Sequence, residues 1–510
     1  MLAIINSCVV IGMEAAAVKV EVDVSNGLPC FDIVGLPDTA VRESKERVRT
    51  AIKNSGFEFP LKRITVNLAP AYLKKEGANF DLPIAVGILL ATEQLQFNGK
   101  EKDSLLVGEL SLDGTMRSVK GALTMAAAMK KFDCSVFVLP EVNAEEAALL
   151  QNVDVYGISD ICTLVKWWNN EVSLNKTIVN IEEIFAYDNF EYKVDMSDVK
   201  GQEIVKRAME IAAAGGHNLL MVGAPGSGKT MLARRMVTIM PPMTLEESIE
   251  TTKIYSIAGE LPAGKALLTE RPFRSPHHTA SSASVIGGGR IPKPGEVSLA
   301  TNGVLFMDEM PEFQRNVLEA LRQPLEDKLV TISRVNGKME YSAAFQLIGA
   351  MNPCPCGYLG DPNHVCNCTP NQIDRYLSKI SGPLLDRIDM VVNVQRIAYD
   401  DISNSDAGES SEAIRNRVIK ARKIQEARYG SSGVFCNANL TRKQMLECCD
   451  LNKDAESLLK EAFSTLHLSA RSYDKILKVA RTIADLAGNE KVDVAHIAEA
   501  LQYRSFVEKN

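Results

Sequence analysis

The sequence predicts an α/β protein: a core with a parallel sheet, preceded by an α+β region and followed by an all-helical region. Valine occupies every second position of residues 18–24, the period of a half-buried strand. Two wholly apolar tetrads, 219–222 and 304–307, are typical of buried parallel strands. Beyond residue 413, apolar residues recur at helical spacing. We therefore expect an N-terminal domain at 1–168, a linker at 169–197, the core at 198–395, a second linker at 396–412 and the helical region at 413–510.

The N-terminal region mixes short strands with helices. An Asn26-Gly27 turn follows the first strand, and residues 38–54 have a helical pattern with Asp38 or Thr39 as the N-cap. This mixture is typical of an α+β domain. Further strands are predicted at residues 64–68, 105–110, 136–139 and 153–155, and an apolar helix at 82–95.

Composition and charge exclude several classes of protein. Apolar residues make up 46% and charged residues 24% of the 510 residues, which is typical of a globular protein and not of a disordered one. The net charge of −7 gives no general attraction to nucleic acid, so such a partner requires a locally basic surface. We find no secretory signal, and the longest apolar run, 82–91, is shorter than the roughly 20 residues that span a bilayer. We expect a cytoplasmic protein without a membrane partner.

The strongest motif is a phosphate-binding loop that fits G-x-x-x-x-G-K-[ST] at every position. An apolar strand precedes it and a helical pattern follows it, so its backbone N–H groups can surround phosphate oxygens. Lys229 would neutralise the β- and γ-phosphates, and the Thr230 hydroxyl would bind Mg²⁺. The alternative is a glycine-rich turn with a chance lysine. The predicted ATP-binding residues are Gly223, Ala224, Pro225, Gly226, Ser227, Gly228, Lys229 and Thr230.

Polar residues also follow two other predicted strands. Asp308 and Glu309 end the apolar strand 304–307, where Asp308 would hold Mg²⁺ through water and Glu309 would polarise the attacking water. The alternative is a solvated acidic turn. Asn352 follows strand 346–351, and an amide beside the γ-phosphate can help to place the water.

Two arginines are candidates for contact with the γ-phosphate. Arg387 lies in the turn 384–389 and could reach the nucleotide of a neighbouring subunit. Arg471 begins a helix after Ser469 and could be a second cationic clamp. The alternative is that both are solvated surface arginines.

Four of the eleven cysteines lie within fifteen residues: Cys354, Cys356, Cys366 and Cys368. Together with His364 they could bind Zn²⁺ in a tetrahedral site. The C-x-C spacing is tighter than the usual gap between zinc ligands, so a loop of free thiols is the alternative.

The order of these motifs resembles that of the AAA+ superfamily, with a long insertion between the two nucleotide motifs. The whole chain resembles the magnesium-chelatase-like ATPases, in particular the YifB/ComM group. The strings that carry this resemblance are FDIVGLPDTAVRESKERV (31–48), KEGANFDLPIAVGIL (75–89), RPFRSPHH (271–278), LRQPLEDK (321–328), NPCPCG (352–357), SGPLLDRID (381–389) and ARTIADL (480–486).

The resemblance implies a hexameric ring that binds ATP between subunits. It implies Asn352 as sensor 1, Arg387 as a finger acting on the neighbouring subunit and Arg471 as sensor 2 in the helical lid. A β-hairpin before sensor 1 is implied as well, and strand patterns around an Asn336-Gly337 turn predict it independently. Its tip would present Arg334 and Lys338 to DNA in a central pore.

ComM-like relatives imply DNA branch migration, and we expect an ATP-driven motor acting on DNA. Two alternatives stay open: a motor that remodels a protein or metallocofactor complex, as magnesium chelatase does, and an ATP-binding switch with slow hydrolysis. An intact Glu309 argues against a pure switch. A chelatase partner would favour the remodelling motor, and DNA-stimulated hydrolysis would favour the DNA motor.

The first domain resembles the Lon-protease/ribosomal-S5-like fold. Proteolytic relatives use a Ser-Lys dyad, in which the lysine activates the serine. The matching region 74–83 holds no serine, and region 121–125 holds no lysine. We therefore expect a binding or ring-assembly module without peptidase activity.

Overall fold

The computed structural model describes residues 1–187, 192–289, 292–334, 337–362, 364–396, 408–430, 433–466 and 468–504. It divides into two compact units. Unit 1 comprises Met1–Asn189, Leu245–Thr269 and Ser333–Tyr341, and unit 2 comprises Phe190–Thr244, Glu270–Ile332 and Ser342–Asn510. Segments 245–269 and 333–341 of the predicted core thus belong to unit 1, while the domain limits at 168, 198, 395 and 413 remain predictions. None of the helices in the described ranges is long and apolar enough to cross a bilayer.

Unit 1 is built on a seven-stranded mixed sheet. The strand order is β3-β4-β2-β1-β5-β8-β9. The strands are β1 (Leu2–Ile11), β2 (Glu14–Ser25), β3 (Cys30–Val34), β4 (Arg63–Ala69), β5 (Ser104–Leu106), β6 (Glu109–Leu110), β7 (Met116–Arg117), β8 (Val136–Pro140) and β9 (Asp154–Ile158). Strands β6 and β7 form a separate antiparallel pair. The helices of the N-terminal part are α1 (Thr39–Asn54), α2 (Asp81–Ala91), α3 (Lys100–Asp103), α4 (Ala122–Ala128), α5 (Ala144–Ala148), α6 (Ile161–Trp168) and α7 (Ile181–Tyr187).

The period-two pattern of β2 is confirmed, because its alternate valines 18, 20, 22 and 24 are buried. Helix α2, buried along its whole length, packs on β1 and β2. A Cβ on Gly87 of this helix would lie 2.5 Å from Val22 Cγ2, so the close approach of helix and sheet requires glycine there.

Two segments of unit 1 differ from the sequence prediction. The single strand predicted at 105–110 is split into β5 and β6, because Gly108 bonds outside the sheet: its N–H donates to the Asn79 carbonyl and its carbonyl accepts from Leu82. The predicted linker 169–197 contains helix α7, whose Ile184 and Phe185 pack against a buried core of the same unit. Apolar residues that are few but correctly spaced are enough to anchor a short helix.

Unit 2 is built on a five-stranded sheet in the order β11-β14-β17-β10-β18, and every pair in it is parallel. The predicted parallel sheet is therefore confirmed. The strands that follow β9 in the chain are β10 (Leu219–Val222), β11 (Phe273–Arg274), β12 (Gly287–Gly288), β13 (Lys293–Pro294), β14 (Val304–Met307), β15 (Leu329–Arg334), β16 (Gly337–Ser342), β17 (Gln346–Met351) and β18 (Met390–Asn393).

The helices that follow α7 up to β18 are mostly short. They are α8 (Glu203–Gly215), α9 (Lys229–Arg234), α10 (Met236–Ile239), α11 (Leu245–Ala258, in unit 1), α12 (Ser282–Ile286), α13 (Glu296–Leu299), α14 (Arg315–Ala320), α15 (Arg322–Asp327), α16 (Pro370–Leu377) and α17 (Gly382–Leu385).

The C-terminal region of unit 2 is helical, as predicted. Its helices are α18 (Ser411–Tyr429), α19 (Arg442–Cys448), α20 (Lys453–Thr465), α21 (Ala470–Ala487) and α22 (Val494–Gln502). Helix α21 ends at Gly488, which adopts φ 74°. Helices α18 and α21 both pack on α8, and they share one buried core with β10, β14 and β17.

Candidate nucleotide site

The carboxyl ends of three neighbouring parallel strands collect the polar residues predicted for nucleotide chemistry. The phosphate-binding loop follows β10, Asp308 follows β14, and Asn352 follows β17. Because the three strands are adjacent and parallel, their ends share one edge of the sheet. Ligands of open α/β sheets bind at this edge.

The phosphate-binding loop turns sharply at two glycines. Gly226 and Gly228 have φ angles of 77° and 89°, a region that favours glycine. Lys229 Nζ donates to the carbonyl oxygens of Gly223 and Ala224 at 2.8 and 2.9 Å and lies 3.4 Å from Asn352 Oδ1. Burial lowers the pKa of Lys229. The loop thus directs a buried cation and the sensor amide toward one point.

The hydroxyl and carboxylates beside this loop form an oxygen-rich site. Thr230 Oγ1 donates to Asp308 Oδ2 at 2.6 Å, and the backbone N–H of Glu309 donates to Asp308 Oδ1 at 3.0 Å. Glu309 adopts φ 49°, a strained conformation for a residue with a side chain. Hard oxygen ligands of this type are those that Mg²⁺ prefers, so Thr230 and Asp308 would hold a magnesium ion, which would supply charge neutralisation at phosphates.

His278 lies beside Glu309 and is not among the site residues predicted from the sequence. Its Nδ1 lies 3.5 Å from Glu309 Oε2, and its ring contacts that of His277, tilted by 32° with 4.2 Å between the centroids. The Glu309 side chain remains 58% exposed. The pair of histidines is visible in the sequence, but no motif spacing connects it with Glu309.

Arg387 lies at the opposite, amino-terminal ends of the parallel strands, which we call the opposite edge of the sheet. It precedes β18, whose first residue Met390 is paired in parallel with Leu219 at the start of β10. The phosphate-binding loop begins beyond the other end of β10. At about 3.3 Å per strand residue, β10 is about 13 Å long, and this length separates its two ends. Arg387 pairs with Glu326 and donates from Nη1 to the Pro383 carbonyl at 2.8 Å.

The structure brings Arg471 beside Arg387 and not beside the phosphate-binding loop. Arg471 Nη1 donates to Asp386 Oδ2 at 3.0 Å, and its side chain is 68% exposed. Both arginines line a cleft of about 440 Å³ together with Lys475. Burial lowers the pKa of Lys475 to about 8. The two arginines therefore share one cleft, in which each is paired with a carboxylate.

Sequence reasoning also missed a cleft next to the phosphate-binding loop. It measures about 300 Å³ and is lined by residues 201–205 at the start of α8 and by Asn393, Gln395 and Arg396 after β18. Arg396 Nη2 donates to the Pro225 carbonyl at 3.4 Å. The Gly201-Gln202 pair before α8 was an available signal for a turn, whereas nothing in the sequence marked Arg396.

The four clustered cysteines meet in space. Their Sγ atoms all lie within 4.8 Å of one another, and the distances that Cys354, Cys356 and Cys366 make in pairs are 3.3, 3.7 and 3.6 Å. Four thiolates bound to zinc at about 2.3 Å would be about 3.8 Å apart. Cys368 is the fourth member. None of the four is in a disulfide.

The thiols of the cluster shift in opposite directions: a backbone hydrogen bond donated by Tyr358 lowers the pKa of Cys356 to about 6, whereas the pKa of Cys366 is raised and that of Cys368 is raised to about 12. The positions of the sulfur atoms, and not these pKa values, are what fit a metal. His364 lies outside the cluster: its Nδ1 is 3.5 Å from Asp361 Oδ1 and 3.2 Å from Arg396 Nη1.

The predicted hairpin is present as the two-stranded sheet β15–β16. Lys338 is 63% exposed and pairs with Glu340 at 2.6 Å. The side chain of Arg334 and the turn residue Asn336 lie outside the described residues. The described part of the tip therefore carries one cation next to one carboxylate.

Three segments match families of magnesium chelatase subunits. Residues 195–402 match "Magnesium chelatase, subunit ChlI", residues 20–143 match "Subunit ChlI of Mg-chelatase", and residues 408–504 match "Magnesium chelatase, subunit ChlI C-terminal". These segments include the phosphate-binding loop, the cysteine cluster and both arginines.

The chain is also similar over its full length to individual proteins. It is 45% identical over 509 residues to competence protein ComM of Haemophilus influenzae, covering 99% of this chain and 98% of ComM. It is 43% identical over 506 residues to protein YifB of Salmonella typhimurium, covering 99% and 97%. A shorter match, 31% identity over 147 residues, covers 26% of this chain and 25% of Lon protease 2 of Bacillus subtilis.

Proposed function

The chain belongs to the magnesium-chelatase-like family that includes the ComM and YifB proteins, and on that premise we propose that it is an ATP-hydrolysing AAA+ ring motor acting on DNA in the cytoplasm. The observation that carries the ATPase assignment is the convergence of Lys229, Thr230, Asp308 and Asn352 at one edge of a parallel sheet. Four side chains from three strand ends meet there in a motif order that suits phosphate chemistry.

Each residue at this edge has a part in the proposed hydrolysis of Mg²⁺-ATP. Lys229 neutralises the β- and γ-phosphates, and Thr230 and Asp308 hold the metal, which supplies charge neutralisation at the phosphates. Glu309 accepts a proton from the attacking water, and Asn352 orients that water. The cleft lined by residues 201–205 and Arg396 is the space next to the loop in which we place the adenine.

Hydrolysis requires a second copy of the chain in this proposal. Arg387 and Arg471 lie at the sheet edge opposite to the phosphate-binding loop, so they serve the nucleotide of a neighbouring subunit. One copy offers its loop and the next its arginines, a head-to-tail contact that can close into a ring. Six copies are what the family resemblance implies.

DNA is the proposed substrate on the strength of the family resemblance and the hairpin β15–β16. Lys338 and Arg334 flank the turn, and six hairpins would present about a dozen cations to a strand in the pore. Because such contacts bind phosphates and not bases, binding is expected to tolerate any sequence and to depend strongly on salt.

We further propose that residues 1–168 form a Lon/S5-like module for binding or assembly. The partial match to a Lon protease supports this relationship. Lys75 in the region of the expected nucleophile is buried, and its Nζ donates to the Pro70 carbonyl. The expected result is the absence of peptidase activity in purified protein.

The alternative function is the remodelling of a protein or metallocofactor complex. The three matches to magnesium chelatase subunits favour it specifically. In that case hydrolysis would respond to a protein partner and not to DNA.

The test is the ATPase rate with branched, single-stranded and duplex DNA and without DNA. We expect DNA to stimulate turnover, most strongly for branched molecules, and Glu309→Gln to abolish the signal. An ATPase that is active but indifferent to all three DNAs would exclude the DNA motor and leave the remodelling function.

A further inference from the structure

The segment that contains the cysteines continues directly from the sensor residue Asn352. We call residues 354–368 the cysteine lobe; it runs from the end of β17 to the start of α16. Its described part contains neither helix nor strand. A segment of this length without backbone ladders depends on side-chain cross-links for a fixed shape.

The cysteine lobe touches the phosphate-binding loop at Gly357. This glycine has φ 86°, and a Cβ placed on it would lie 2.5 Å from Cδ and 2.7 Å from Cγ of Pro225. Its N–H donates to the Cys354 carbonyl at 3.0 Å, which ties the contact point to the first cysteine. The backbone of the lobe therefore lies directly against the second residue after Gly223.

Arg396 makes a second connection between the two segments. One end of its guanidinium donates to the Pro225 carbonyl at 3.4 Å, and Nε pairs with Asp361 at 3.4 Å. The guanidinium also lies over the Tyr358 ring, 5.4 Å from the centroid, and this ring stacks on His364. Asp361 is buried within the lobe, with 3% of its side chain exposed.

We propose that one Zn²⁺ bound by Cys354, Cys356, Cys366 and Cys368 fixes the cysteine lobe, so that Gly357 and Arg396 hold Pro225 and the phosphate-binding loop in the shape that binds nucleotide. The sulfur positions fit the metal, and the lobe has no other cross-link of this kind among its described residues. Nucleotide affinity then depends on a metal that touches no phosphate. This inference rests on the proposed ATP site.

The physical reason is the coupling of metal binding to local folding. Metal-binding energy is folding energy where the ligands are not otherwise ordered, so the zinc-free lobe loses its fixed surface against Pro225. A loop that must be ordered before it can bind phosphate binds more weakly. The closest contact of the lobe is with Pro225 of the phosphate-binding loop, so we expect nucleotide affinity to change more than the turnover of bound ATP.

The experiment compares zinc content and nucleotide affinity in the same preparations of the full chain. Elemental analysis of anaerobically purified protein is expected to give one zinc per chain. The double variant Cys366→Ser/Cys368→Ser should contain no zinc and bind a fluorescent ATP analogue at least tenfold more weakly, a loss of about 1.4 kcal/mol. The control Cys30→Ser/Cys162→Ser, in unit 1, should keep both zinc and affinity.

A second variant separates the contact from the metal. Gly357→Ala places a methyl group against Pro225 and should weaken nucleotide binding while zinc stays bound. Cys366→His, which keeps a zinc ligand, should restore most of the affinity lost in Cys366→Ser. If the double serine variant fails to fold, removal of zinc from the wild type by a chelator and its readdition give the same comparison.

The outcomes are distinct. Wild-type protein that binds nucleotide but contains no zinc would overturn the metal site and leave the ATPase proposal intact. Zinc-free protein with unchanged nucleotide affinity would overturn only the proposed effect of the cysteine lobe on the phosphate-binding loop. Wild-type protein that holds zinc but binds no nucleotide would overturn the proposed function, and the effect of the lobe with it.

Discussion

The two compact units contain acidic residues in opposite environments. In unit 1, Asp81 is fully buried and accepts hydrogen bonds from the Ser44 hydroxyl, the Arg47 guanidinium and the Leu110 N–H. In unit 2, Glu309 stands at a strand end with more than half of its side chain exposed. The first network is closed on itself, whereas the second presents acceptors to solvent. Closed networks stabilise a fold, and open ones are available to a ligand.

Strand direction explains why Glu309 lies at an exposed strand end, whereas Asp81 begins helix α2 and does not follow a strand. All pairs in the sheet of unit 2 are parallel, so each strand delivers the residue after it to the same edge. The sheet of unit 1 mixes parallel and antiparallel pairs, and its strand ends are distributed between two edges. The residues that follow the strands therefore lie close together in unit 2 and are spread over both edges of the sheet in unit 1.

The largest effect is expected at the far edge of the unit 2 sheet. Arg387→Ala should lower the ATPase rate about 10³-fold, the range known for an arginine that reaches a transferred phosphoryl group. ATP binding should persist, because the phosphate-binding loop lies at the other edge. Mixing this variant with Lys229→Ala subunits should restore part of the activity at interfaces that combine two intact halves.

The mixing result decides whether the two edges serve different subunits. Mixed rings that form but recover nothing would place Arg387 outside the neighbouring site. Loss of ATP binding in Arg387→Ala alone would contradict the separation of the edges. Arg442→Ala, an exposed arginine of α19, is the matched control and should retain full activity.

Breaking the closed network should affect stability instead of chemistry. Asp81→Ala leaves three donors without their acceptor and should lower the free energy of unfolding by about 3 kcal/mol, measured by urea denaturation. Nucleotide affinity of the folded fraction should be unchanged. Glu58→Ala, an exposed carboxylate of the same unit, should change stability by less than about 0.5 kcal/mol. Equal losses for both variants would show that the network contributes nothing special.

Replacing the exposed carboxylate of Glu309 should affect catalysis and not stability. Glu309→Gln should reduce ATP turnover about 10²-fold because an amide cannot accept the proton of water, while stability and ATP binding remain. Single-turnover hydrolysis with a binding control measures this. Glu312→Gln, which loses only an exposed pair with Lys379, should hydrolyse at the wild-type rate. A Glu309→Gln variant as fast as the wild type would remove Glu309 from the site.

The smallest effect is expected at the hairpin. Replacing Arg334 and Lys338 together by alanine should leave basal ATPase intact, abolish stimulation by DNA and reduce the salt dependence of DNA binding. A single phosphate contact contributes little, but the change is repeated in every subunit. Sizing of the variant separates this result from a loss of assembly. An assembled variant with full DNA stimulation would contradict the pore contact.

Local patterns predicted what depends on local spacing. The phosphate-binding loop and the residues after β14 and β17 could be predicted because each follows a short strand of a parallel sheet. The meeting of the four cysteines could be predicted because they lie close together in the sequence. The strand split at Gly108 did not follow, because its cause is a bond to Asn79 in another segment. The shared cleft of Arg387 and Arg471 was not predictable either, since it depends on the path of α21 back to the sheet. Arg396 lacks any motif and is recognised only by its contacts.

The placement of the two arginines opposite the phosphate-binding loop has a consequence for how activity depends on protein concentration. Under the proposed assignment, a single chain at high dilution carries the loop of one site and the arginines of another but completes neither, because the loop and the arginines lie at opposite ends of the strands. A two-fold dimer favours identical patches facing each other and suits this arrangement poorly, whereas head-to-tail growth joins loop to arginine at each step. Specific activity should therefore rise with protein concentration and then level off. In a cell, a modest change in expression would act on such an enzyme as a threshold, with little turnover below it and full turnover above it.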